Sequence, residues 1–109
     1  MFKEVKAMLP VSGNGYDGEI ITQIKAAVLD LETSTEIRLP GRVNITRDET
    51  TGVITDNSTL KDELAMVAIA TWCNMHIGNP PNYELLAKSY HSLKGQMRMS
   101  SRYNGRAEE

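Results

Sequence analysis

Apolar residues recur along the chain with helical spacing in four places. Phe2, Val5 and Met8 step by three, which predicts a short helix over 2–8. Pro10 ends it, because the residue before a proline is pushed out of the helical region. Ile20, Ile21, Ile24, Ala27, Val28 and Leu31 then mark one face of a helix from Glu19 to about Glu32. Asp17 is its expected N-cap, without a Glu or Gln at the third position to close a capping box.

The pattern changes at LPGRVNITRDETTGVITDNST. Pro40-Gly41 marks a turn, and Val43, Ile45 and Val53 are β-branched residues on either side of a polar segment holding Gly52. A short β-hairpin with a loop of several residues fits this spacing. Strands so short need a partner surface. Helical spacing then returns. Ser58 or Thr59 is the expected cap of a helix that runs to about Ile77. One face carries Leu60, Leu64, Val67, Ala68, Thr71, Trp72 and Met75, and the other Met66, Ile69, Ala70, Cys73 and Ile77. A helix apolar nearly all round is a central one. Gly78 and Pro80-Pro81 stop it. The last helix is expected from about Pro81 to Arg102, capped by Asn79 or Asn82. Its narrow seam is Tyr83, Leu86, Tyr90, Leu93 and Met97. The fold class is therefore mainly α: three main helices and a short N-terminal one, with a β-hairpin inserted between the first and second main helices.

Composition narrows the class. The 109 residues suit a single domain, 1–109, with residues 1–16 as N-terminal helix and flexible joint and 99–109 as a C-terminal tail. Hydrophobic residues are 40% and charged residues 24%, the profile of a globular protein. Cys73 is the only cysteine, which fits a reducing compartment. The polar start is unlike a signal peptide, and the longest nearly uncharged run, Leu64 to Gly78, is too short to span a bilayer. These features lead to the expectation of a soluble intracellular protein without a membrane contact. Charge is uneven. Residues 1–84 carry seven basic and twelve acidic side chains, and residues 85–109 five basic and two acidic. A basic end on an acidic body points to a contact made by that end.

GNGYDG at 13–18 matches G-x-G-x-x-G, the turn that cradles a dinucleotide phosphate. That cradle needs a strand before it and a strand–helix–strand unit around it. The preceding segment has helical spacing, so a flexible joint is the better reading, and Glu36 has no sheet from which to reach a ribose. Cys73 and His76 share a helix, but two ligands are too few for a closed zinc site, and His91 lies on another element. Asp48, Glu49 and Asp56 lack the alternation of a calcium loop. Ser89 and His91 are two apart on a helix and point apart. No catalytic, metal or cofactor site is expected, nor any enzyme. Lys94, Arg98, Arg102 and Arg106 step by four into a basic stripe. It reads as a solvated face, as a docking tail for an acidic protein, or as a nucleic-acid contact. The acidic whole and the single interleaved aromatic, Tyr103, weigh against the third.

The order of elements resembles the head-tail connector proteins of tailed bacteriophages, also called adaptor, head-completion or DNA-packaging proteins. The resemblance spans about Tyr16 to Tyr103 and is strongest over TLKDELAMVAIATWCNMHIGNPPNYELLAKSYHSLKGQMRMSSRY. Asp62 and Leu64 match the family's Asp-Pro-Leu helix start, with Glu63 for the proline. Ala68-Ile69, Pro80, Tyr83, Lys88, Ser89, Tyr90 and Tyr103 match as well. Trp72-Cys73 stand where Tyr-Val is usual, and Ile77-Gly78 where Phe-Gly is usual.

The resemblance implies a structural, non-catalytic subunit at the virion's head–tail junction, assembled in the host cytoplasm. Its implied partners are a portal protein, a tail-side neck or stopper protein and copies of itself in a ring of roughly twelve. Genomic DNA would pass through without sequence-specific binding. Arg98, Arg102, Tyr103 and Arg106 become candidate portal-docking residues. Val43, Ile45, Val53 and Ile54 become a candidate ring-contact hairpin. The alternative is a small helical nucleic-acid-binding module that uses the basic stripe.

Overall fold

In the computed structural model, which describes residues 1–78 and 80–100, the apolar stripes meet as one core. The elements in chain order are α1 (Phe2–Ala7), α2 (Asp17–Ser34), β1 (Ile45–Arg47), β2 (Ile54–Asp56), α3 (Glu63–His76) and α4 (Tyr83–Met99). Helix α2 contributes Ile20, Ile24, Ala27 and Leu31, all buried, as their spacing predicts. Helix α3 is the central one and touches α1, α2 and α4. Ala65, Ala68, Ile69 and Cys73 on it are fully buried, and the small alanines let neighbouring helices approach closely. The seam of α4 is seated through Tyr90 and Met97, with Leu86 and Leu93 half-buried beside them.

Two polar contacts tie the layers together. Trp72 Nε1 donates to Gln23 Oε1 at 2.9 Å, joining α3 to α2. The Tyr90 hydroxyl donates to Asp30 Oδ2 at 2.6 Å, joining α4 to α2. The Cys73 thiol is pushed up to about 12 by burial. Its thiolate is thus suppressed at neutral pH. A thiol reagent is expected to leave the native protein unlabelled and to react fully in denaturant; rapid native labelling, followed by mass spectrometry, would show that α3 opens.

The hairpin is antiparallel, with Ile45 opposite Asp56, Thr46 opposite Thr55 and Arg47 opposite Ile54. Its partner surface is its own chain. Ile45 is buried in the core beside α2, and Asp56 accepts the Phe2 amide at 2.7 Å and the Met1 ammonium at 3.0 Å. Burial works against the charged form of Asp56. The Phe2 amide, the Ser58 hydroxyl and amide and the ammonium outweigh it and hold the carboxyl well below its ordinary value of 3.8. A carboxyl held low stabilises the fold above its free pKa and loses that contribution as pH falls through the folded one. Asp56→Asn is expected to destabilise the protein near neutral pH, by a margin that shrinks below roughly pH 4. Denaturant midpoints at several pH values measure it, and a margin independent of pH would refute the assignment.

Three boundaries differ from expectation. Ser58 and Thr59 do not cap α3. Ser58 Oγ accepts the Asn44 amide and Thr59 Oγ1 the Arg42 amide, both at 2.9 Å, so both side chains extend the hairpin's base. Asp62 caps instead, accepting the Ala65 amide at 3.0 Å. Asp17 is not the N-cap of α2; Tyr16 holds that position, and Asp17 enters the first turn. It does so because Lys6 captures its carboxylate at 2.6 Å. Helix α4 is shorter than expected. Asn82 is its N-cap without a side-chain cap bond, and the backbone turns extended at Ser100. Asn79 lies outside the described residues.

Candidate functional site

The GNGYDG turn is closed by its own chain. Lys6 Nζ donates to the Gly13 carbonyl and to Asp17 Oδ1, each at 2.6 Å. The Asp17 carboxylate in the first turn of α2 puts negative charge where a phosphate would have to sit. The segment before the turn is helix α1, seated in the core through Phe2 and Val5. Glu36 stands exposed at φ 57°, in the left-handed turn that follows α2, and belongs to no sheet.

The other chemistry-bearing residues are dispersed. Cys73 is buried, while His76, exposed at the end of α3, packs on Trp72 with ring centroids 4.3 Å apart. Tyr83 meets His76 edge-on at 6.4 Å, and His91 lies beside Tyr90. Among the described residues no three His, Cys, Asp or Glu side chains gather as a metal group. Asp48 accepts the Thr50 and Thr51 amides and so shapes the hairpin tip. Among the described residues no helix is long and apolar enough to cross a membrane.

What the fold offers is surface. A groove of about 840 Å³ runs between the α1–α2 joint and the α3–α4 turn, lined by Leu9, Val11, Tyr16, Ile77, Pro80 and Pro81 among others. None of the described residues that line it is charged, in a chain that is 24% charged. Loss of charge is the compositional mark of an interface core. Leu29 on α2 and Leu85 on α4 are 66% and 68% exposed on the outer faces of those helices. The periodicity missed them because it seeks seams; a lone leucine on a polar face was the legible signal.

The candidate residues separate. On the hairpin, Ile45 is buried, Val43 and Ile54 are half-buried and Val53 is 60% exposed. Val43 and Val53 fall just outside the strands. On the basic stripe, Lys94 turns inward, 3.4 Å from Asp30 Oδ2 and 3.1 Å from Ser34 Oγ. Residues four apart advance about 40° around a helix, so Arg98 has rotated out to solvent. Arg102, Tyr103 and Arg106 lie outside the described residues.

Comparison with the curated proteins and with the solved structures finds no match. A family profile described as phage connector protein matches residues 1–104, which takes in all six elements described above. On that match the chain belongs to the phage connector protein family.

Proposed function

We propose that this chain is a ring-forming subunit at the head–tail junction, seated on the portal and offering the tail its attachment site. The family match over residues 1–104 carries this reading. In a ring of roughly twelve copies each subunit presents one face to a different face of its neighbour. The hairpin supports such a contact: Ile45 anchors it from beneath, Val53 is exposed near its tip, and Val43 and Ile54 are half-buried. Genomic DNA passes through the ring without sequence-specific contact, since an acidic body repels phosphate.

Arg98, Arg102, Tyr103 and Arg106 dock the subunit on the portal. Met99 closes α4, so truncation after Ser100 removes Arg102, Tyr103 and Arg106 and spares every described element. The truncated chain is expected to keep its circular dichroism spectrum and to lose binding to portal rings in co-sedimentation. The full chain is expected to be mostly monomeric by mass measurement until a portal is added. Normal portal binding by the truncated chain would defeat the docking assignment. Duplex DNA binding that weakens steeply with salt would favour the nucleic-acid module instead.

A further inference from the structure

We propose, resting on the ring reading above, that the hairpin tip of each subunit docks into a groove at the hairpin base of the next. The groove lies between α2 and that base and has a volume of about 780 Å³. Val28, Leu39 and Val43 make part of its lining apolar, and Arg38 and Arg42 line it with positive charge. Glu32 is the one acid among the described residues that line it, and its carboxylate accepts the Leu39 amide at 3.2 Å. Arg42 is exposed, and among the described residues no carboxylate pairs with it. Two arginines in one groove run against the surrounding chain, since residues 1–84 carry twelve acidic and seven basic side chains.

The tip carries the matching groups. Val53 is 60% exposed there, an apolar side chain of the size that Val28 and Val43 can cover. Asp48 accepts the Thr50 and Thr51 amides and so holds the turn in shape. Glu49 beside it is exposed, and among the described residues it pairs with no cation. Arg47 is the one base next to these two acids, so acids outnumber bases at the tip as bases outnumber acids in the groove. A chain cannot fill its own groove in this way. Six extended residues separate Val43 from Glu49, about 20 Å, and the paired strands hold the two ends apart. A tip that fits only another copy's base joins two different surfaces, the kind of contact that closes a ring. The tip is far smaller than the roughly 20 to 30 residues a side of a stable interface, in keeping with the monomer expected before a portal is added.

The test is disulfide trapping in the full chain, at high protein concentration with oxidised glutathione. The native Cys73 is buried and stays out of the reaction. Val28→Cys, isotope-labelled so that mixed pairs are read by mass, is combined with Val53→Cys. Their heterodimer is expected to form several times faster than that of Leu29→Cys with Val53→Cys, although Leu29 is the more exposed and lies outside the groove. One chain carrying both Val28→Cys and Val53→Cys is expected to give a ladder of dimers, trimers and larger species. Arg42→Glu and Glu49→Arg are each expected to slow the linking several-fold, and the two together to restore it. Equal rates for Val28 and Leu29 would overturn the proposal and leave the groove to another occupant, even where rings still form on portals. A ladder that stops at dimers would overturn it too, because two subunits would then be exchanging tips in a closed pair. Selective linking without rings on portals would keep the contact and defeat the ring reading instead.

Discussion

Gly41→Ala is expected to destabilise the protein by about 3 kcal/mol or more, whereas Gly95→Ala stabilises it by up to about 1 kcal/mol. The chemical change is the same, one methyl group, and the surroundings set its sign. Gly41 sits at φ 145°, outside the range of L side chains. A Cβ there would lie 2.6 Å from the Leu60 Cα and 2.8 Å from the Leu60 nitrogen. Both atoms are backbone, and they cannot step aside. The Thr59 and Leu60 amides donate to the Arg42 carbonyl at 2.9 and 3.1 Å, and the Leu60 side chain is buried. Any shift that relieves the clash therefore opens the base of the hairpin and uncovers Leu60. Gly95, inside α4, has nothing within 4 Å of its would-be Cβ, so alanine there gains helix propensity without contact. Denaturant unfolding of the two variants beside the parent measures both effects. A Gly41→Ala midpoint equal to the parent's would mean that the hairpin base is not packed as described.

Asp30→Ala is expected to cost about 2 to 3 kcal/mol, because two groups lose one acceptor at once. Tyr90 is almost fully buried, and its hydroxyl loses the partner it has at 2.6 Å. Lys94 loses its carboxylate and keeps the Ser34 hydroxyl and the Tyr90 ring, 5.0 Å from ring centroid to ammonium. Burial, then the hydrogen bond to Asp30 and its charge, push the Tyr90 phenol well above its ordinary value of 10.0. The phenol thus acts as a donor throughout the range in which the protein is handled. Tyr90→Phe is expected to cost less than Asp30→Ala, since Asp30 keeps Lys94. The double variant is expected to cost less than the sum of the two. Strict additivity in the unfolding free energies would show that the pair does not interact. The network ties α4 to α2 through side chains, Tyr90 and Lys94 on one helix and Asp30 and Ser34 on the other.

The helices were readable because each buries one stripe and the stripe repeats with the helix. Ile20, Ile24 and Leu31, or Tyr90 and Met97, are recognisable from spacing alone, and they are the buried ones. Caps and junctions were not readable in the same way. Ser58 and Thr59 are good caps by residue type, yet their hydroxyls went to Asn44 and Arg42, 14 and 17 residues away. Asp17 is likewise a good cap that Lys6 claimed first. Lys94 belonged to a basic stripe by spacing and to an internal ion pair by tertiary position. In each case a polar group had several possible partners, and spacing along the chain ranks only the local ones.

Periodicity by itself determined that the protein is a small helical body with one inserted hairpin, and the order of its motifs pointed to a connector. Those properties follow from hydrophobic burial, which is non-directional and legible as a pattern. Only the tertiary structure decided that the hairpin rests on Phe2 through Asp56, that an uncharged groove opens between the two interhelical joints, and that Leu29 and Leu85 are left outside. Those depend on directional hydrogen bonds and on which surfaces remain after the helices have packed, and neither exists until distant segments meet.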